Sequence, residues 1–180
     1  MSEELLIRHC APTLASIKTG SLFPCPCQDR ETVNAFARAL NRRLARKGLR
    51  VLPLRARRGH FLLYVYRPSR LEADLHRPEA RTLLAACGYP EQDAHRDLQT
   101  LVDRFAQSEE FPHEIGLFLS YPPEDVRGFM YHREQAKYTG CWKVYGDVES
   151  ARCTFDRYKK CSELYQRLWD KGYDIEQLAV

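Results

Sequence analysis

Cys10, His113 and Glu114 are the residues whose types could do covalent chemistry in this chain. The segment PTLASIKT, from Pro12 to Thr19, has proline where a helix starts and Gly20 just past its end, so it reads as a short helix with Cys10 at or just before its N-terminus. Unpaired backbone N–H groups and the helix dipole favour a thiolate there, which makes a nucleophile or a metal ligand. His113 stands where the apolar run EIGLFLS begins, with Glu114 beside it. A cysteine on a helix start facing a histidine on a strand is an arrangement of thiol hydrolases. The competing reading makes Cys10 a small buried residue near a cap and His113 a hydrogen-bonded residue at a strand mouth, with Glu114 paired to a nearby base.

A second group suits binding rather than catalysis. His9, Lys18, Tyr121, Lys143 and Tyr145 are candidate ligand-binding residues, and Lys18 and Lys143 are candidates for holding an anionic ligand. Residues 111–147 concentrate His, Glu, Asp, Lys, Tyr, Trp, Gly and Pro between short apolar runs, and mark where a cleft lined by His113, Glu114, Tyr121 and Lys143 is expected. If CWKVYG is a regular strand, Cys141, Lys143 and Tyr145 share one side and Trp142 and Val144 the other. Asp125 in a first helical turn and Asp147 at an N-cap position have structural explanations.

No segment has the spacing of a phosphate loop, a nucleophile elbow, a dinucleotide fingerprint or a closed zinc site. Cys25 and Cys27 form C-x-C, two thiols where a structural zinc site needs four ligands, so no metal site is assigned. No cofactor is named by any motif.

Charge is unevenly placed. The chain of 180 residues carries +4, yet residues 30–58 alone hold ten Lys or Arg against one acid. Arg42, Arg43, Arg46, Arg57 and Arg58 within that window are candidates for docking an acidic protein or another anionic partner. RNA binding by Arg55, Arg57 and Arg58 with the aromatics of LLYVYR is a further alternative, and a solvated helix face running into a charged hairpin is the plain one. The N-terminus lacks the basic start and apolar core of a signal peptide, and no apolar run approaches the 18 residues of a membrane span. The reading is therefore cytoplasmic, with seven cysteines as reduced thiols.

The elements that must position these residues follow from periodicity. Val33, Phe36, Leu40 and Leu44 define a helix over residues 30–47 that Gly48 stops. LRVLPLRA and HFLLYVYR flank a turn and form a hairpin, with Pro53 placing its strand at an edge or bulge and residues 61–66 inside the sheet. SLFPCPCQD is expected to be irregular. Helices follow over RPEARTLLAAC and from Pro90 past Phe105, EIGLFLS is expected as a strand, PPEDVRGFM as a short helix, CWKVYG as a strand, and a long helix runs from Asp147 to Gly172. Alternation of this kind predicts an α/β or α+β fold, a single globular domain over 1–180 with a mixed sheet of about four or five strands packed with helices.

The blocks HCAPTLASIKTGSLF, LLYVYRP, FPHEIGLFLSYPPEDVRGF, WKVYGD and YKKC occur in an order that resembles, along nearly the whole chain, the bacterial family known as domain of unknown function 3793, found chiefly in anaerobic Firmicutes. The resemblance implies a role in redox or iron physiology. Cys10 and Cys161 belong to the family's pattern, and Cys27, Cys141 and Cys153 do not. Two classes of function remain: a small-molecule or protein-binding adaptor, and a cysteine-dependent enzyme using Cys10 with His113.

Overall fold

Leu6, Ile7, Cys10, Ala11 and Leu14 recur at helical spacing and are all fully buried, and this stripe builds helix α1 over Glu4–Leu14. In the computed structural model, residues 3–27, 29–57, 60–89, 93–108 and 110–180 are described, with 55–57 described by their backbone. The helix expected over PTLASIKT is therefore displaced: Pro12 lies inside α1, two residues from its end, and Cys10 is its seventh residue rather than its cap. Gly20 begins a strand, β1 (Gly20–Pro26), where an irregular segment was expected. Its two prolines are tolerated because β1 is an edge strand, and residues two apart turn their nitrogens to the same, unpaired side.

The chain divides into two compact units, Met1–Ser69 with Tyr158–Val180, and Arg70–Arg157. In the first, α2 (Arg30–Leu44) starts at Asp29, whose carboxylate accepts from the N–H groups of Glu31 and Thr32, and a 3-10 turn leads to Gly48. The hairpin forms as expected from β2 (Arg50–Arg57) and β3 (His60–Tyr66). The sheet is antiparallel in the order β1-β3-β2, so β3 is central, and a register shift in β2 falls between Pro53 and Arg55. Phe61, Leu63 and Val65 of β3 pack with α1, α2 and the C-terminal residues Tyr165, Ile175 and Leu178 in one core.

Arg67, directly after β3, is 6% exposed. Its Nε donates to the Thr13 carbonyl and its guanidinium to the Leu14 carbonyl, both at 2.8 Å, and to Lys47 at 2.9 Å. Those acceptors include the final carbonyls of α1, which have no partner within the helix. Arg67 thereby joins β3 to the end of α1.

The second unit contains α4 (Pro78–Ala86), α5 (Ala94–Gln107), α6 (Ile115–Phe118), α7 (Pro123–Tyr131) and a two-stranded hairpin of β4 (Tyr138–Thr139) and β5 (Lys143–Val144). The chain passes between the units within α3 (Pro68–Leu75) and α8 (Val148–Asp170), and α9 (Ile175–Leu178) follows. Pro90, expected to open α5, lies outside the described residues. The mixture of helix and sheet agrees with the expected class, while the five strands among the described residues form two antiparallel sheets.

EIGLFLS is the other correction: it is not a strand but the single helical turn α6, with Ile115, Gly116, Leu117 and Phe118 all buried. A short apolar run has no periodicity to separate strand from buried helix. At Gly116 an added Cβ would stand 2.7 Å from Val126 Cγ2, so the turn of α6 lies directly on α7.

Candidate functional site

The second unit holds a cleft of about 350 Å³ bounded by the loop before α6, by α6 and α7, and by β5. Each wall has a local cause. After α6 the chain reverses at Ser120, which has φ 60, with Ser120 N–H bonding to Leu117 O and Tyr121 N–H to Gly116 O. That reversal brings Tyr121 to the cleft, where its ring stacks on Trp142 at 4.6 Å. Trp142 meets Phe155 edge-on at 4.5 Å. Val126 and Phe129 of α7 supply further apolar wall, and Ile115 and Leu119 the base.

Asp125 fixes β5 against α7. It is 3% exposed, and Oδ2 accepts from Trp142 Nε1 at 2.7 Å while Oδ1 accepts from the backbone N–H groups of Tyr145 at 2.7 Å and Gly146 at 2.8 Å. Three donors on one buried carboxylate explain why Asp125 stays in so apolar a setting. Its role goes beyond the helix-start position legible in the sequence. Asp147 is the expected cap, accepting from Glu149 N–H and Ser150 N–H.

The strand alternation predicted for residues 141–145 is observed: Trp142 and Val144 are buried, whereas Cys141 and Lys143 are exposed. Lys143, Cys141 and His113 stand at the cleft with the aromatic residues. Tyr145, expected as a same-side ligand wall, instead lies on the backbone of α7, where a Cβ on Gly128 would overlap its ring, and its hydroxyl donates to the Arg133 carbonyl at 3.1 Å. Burial raises the Tyr145 phenol above its ordinary value.

His113 has a defined tautomer. The Arg133 guanidinium bonds to its Nε2, and a guanidinium can only donate, so Nε2 is the acceptor and the ring proton resides on Nδ1. The imidazole also packs edge-on against Phe129 at 5.1 Å. Burial, and then the Arg133 charge, hold the His113 pKa below its ordinary 6.5, so the neutral donor form prevails near pH 7.

Glu114 faces a different environment. Only 4% exposed, its Oε1 accepts from Tyr89 Oη at 2.9 Å and from Arg104 Nη1 at 3.0 Å. Arg104 lies over the Tyr89 ring at 4.9 Å and donates to the Cys87 carbonyl. The pairing of Glu114 with a nearby base, one of the two readings of the sequence, is thus the arrangement present.

The remaining candidates belong to the first unit. Cys10 is fully buried, and burial pushes its thiol up to about 12, so the lowered pKa argued from a helix start does not arise. The reason is position: the seventh residue of α1 faces the core, and the free N–H groups are at the other end of the helix. His9 stacks on Phe23 at 5.3 Å, and Lys18 lies over the Tyr158 ring at 5.7 Å. Arg42 of α2 and Arg46 of the 3-10 turn are exposed, and Arg43, also exposed, is engaged by Glu3 and Glu176. Arg58 and the side chain of Arg57 lie outside the described residues. Tyr64 of LLYVYR is fully buried and offers no face to a base.

Sequence reasoning assembled His113, Glu114, Tyr121 and Lys143 at one cleft; the structure brings His113, Tyr121 and Lys143 together there, while Glu114 is turned to Tyr89 and Arg104, and Phe129, Trp142 and Arg133 were missed as parts of it. The aromatic spacing between Tyr121, Phe129 and Trp142 was visible, but the misread α6 hid which elements met. Among the described residues, no three His, Cys, Asp or Glu side chains gather as metal ligands, and no helix is long and apolar enough to cross a membrane.

Fold and site together define an α and β protein whose second unit presents an aromatic cleft with a lysine and a neutral histidine at its edge. The chain belongs to the family described as proteins of unknown function, DUF3793, whose model matches residues 6–179. No curated protein and no solved structure matches it.

Proposed function

We propose that residues 70–157 form a small-molecule-binding domain and that its ligand occupies the cleft between α6, α7 and β5. One observation carries the reading: a concave space of about 350 Å³, mostly apolar, with few polar groups at its edge. Ligand sites have that size and composition, a large apolar wall for affinity and a few donors for orientation. The walls are held from behind by Asp125 and by the contact of Gly116 with Val126, so the cleft exists without a ligand to organise it. A cytoplasmic setting with reduced cysteines, read from the sequence pattern, and a link to redox or iron physiology in anaerobic bacteria, supported by the family resemblance, complete the proposal.

Mass measured on anaerobically purified protein tests it. A native mass exceeding the denatured mass by one small molecule, with occupancy reduced by Phe129→Ala, supports the reading. Equal masses, together with no saturable binding of the anionic aromatic dye 1-anilinonaphthalene-8-sulfonate, contradict it.

A further inference from the structure

We propose that the ligand class of this cleft is an organic anion with a planar aromatic body, its ring against Phe129 and the stacked pair of Tyr121 and Trp142 and its acidic group at Lys143 and His113. The inference rests on the cleft being a binding site and adds what it selects.

Charge comes first. Among the ionised side chains lining the cleft, Asp125 is turned inward and already holds three N–H donors. Lys143 is exposed and has no hydrogen-bond or ion-pair partner among the described residues. Glu114, beside His113 in sequence, is committed to Arg104 and Tyr89. Asp125 and Glu114 are thus occupied, exposed Glu110 acts on His113 through its charge but does not line the cleft, and the Lys143 ammonium beside an apolar wall attracts an anion more strongly than one surrounded by water.

Hydrogen bonding points the same way. Because Arg133 fills the acceptor nitrogen of His113, what remains on that ring is the Nδ1–H, which has no partner among the described residues. Arg133 also places a second positive charge behind the imidazole. The edge of the cleft therefore offers one cation and one N–H donor, the complement of a carboxylate or sulfonate.

Shape selects the body. Tyr121 and Trp142 stack on each other at 4.6 Å, so a ligand meets the rim of that pair and the Phe129 ring, aromatic surfaces that favour stacked or edge-on rings over branched aliphatic groups.

Three probes of nearly equal shape separate the terms: 2-naphthoate, 2-naphthamide and 2-naphthylmethylammonium, titrated calorimetrically into the full chain. The expected result is naphthoate binding about tenfold tighter than the amide, with the ammonium weakest. Lys143→Gln should reduce naphthoate affinity by about tenfold and leave the amide unchanged. An amide equal to the carboxylate, or an ammonium tighter than both, overturns the anion assignment and leaves the cleft as a binding site. Failure of all three probes to bind, with Lys143→Gln and the parent equally folded by circular dichroism, overturns both.

Discussion

The indole N–H of Trp142 donates to the Asp125 carboxylate at 2.7 Å, and the same carboxylate holds the backbone of Tyr145 and Gly146. This relationship determines where β5 runs and therefore where Lys143 and the Trp142 ring stand. Asp125→Ala leaves one buried and two half-buried donors without their acceptor, and should cost about 3 kcal/mol in urea unfolding. Asp125→Asn retains one acceptor oxygen and should cost less. An Ala variant as stable as the parent would contradict this role.

Ser16 ends α1 with φ 57, its N–H bonding to Thr13 O and that of Ile17 to Pro12 O. A residue with a side chain is strained in this conformation and glycine is not. Ser16→Gly should raise stability by about 1 kcal/mol, and Ser16→Val should lower it. Thermal unfolding of the pair checks the sign, and a destabilised Gly variant would refute the argument.

Cys10 links stability to alkaline pH. The folded thiol, at about 12, retains its proton where the unfolded thiol, at about 9, loses it. Between those values the native state binds more protons than the unfolded state, so stability falls as pH rises, by up to about 1.4 kcal/mol per pH unit from this group. Below 9 the contribution is constant. Cys10→Ala should flatten the decline measured by urea unfolding across that window, and an unchanged slope would show that the thiol is not protected. In the native protein, alkylation should reach exposed Cys141 and Cys153 well before Cys10.

His113 titrates below 6.5, chiefly through burial and then through Arg133. Stability linked to this neutral imidazole is present above 6.5 and declines as pH falls below it. Arg133→Met removes the guanidinium and should raise the His113 pKa while burial still holds it under 6.5. The C2-proton shift followed by NMR reports the change, and an unaltered midpoint would remove Arg133 from the site.

Helix ends explain which parts of the fold were legible. Gly48, Gly88 and Gly172 have positive φ, and each carries the paired N–H bonds that also occur at Ser16 and Ser120. The three glycine stops were read correctly, and α2, α4 and α8 were found with them. The elements misread, α1 and α6, are the two ended by serine, which gives no such signal. Pro24 and Pro26 concealed β1 because an edge position can be known only once the sheet order is known. The alternation at residues 141–145 was legible, since two-residue periodicity survives even in a strand as short as β5. The gathering of His113, Tyr121 and Lys143 was expected from their shared segment, but the Asp125 clamp and the Arg133 bond to His113 are tertiary contacts with no local pattern.

The most direct test of the cleft as a binding site is an amide and indole NMR map of the full chain titrated with 1-anilinonaphthalene-8-sulfonate. The account predicts saturable shifts at the Trp142 indole N–H and in residues 115–129 and 141–143. An unperturbed indole, or shifts centred on the β1-β3-β2 sheet, would contradict it.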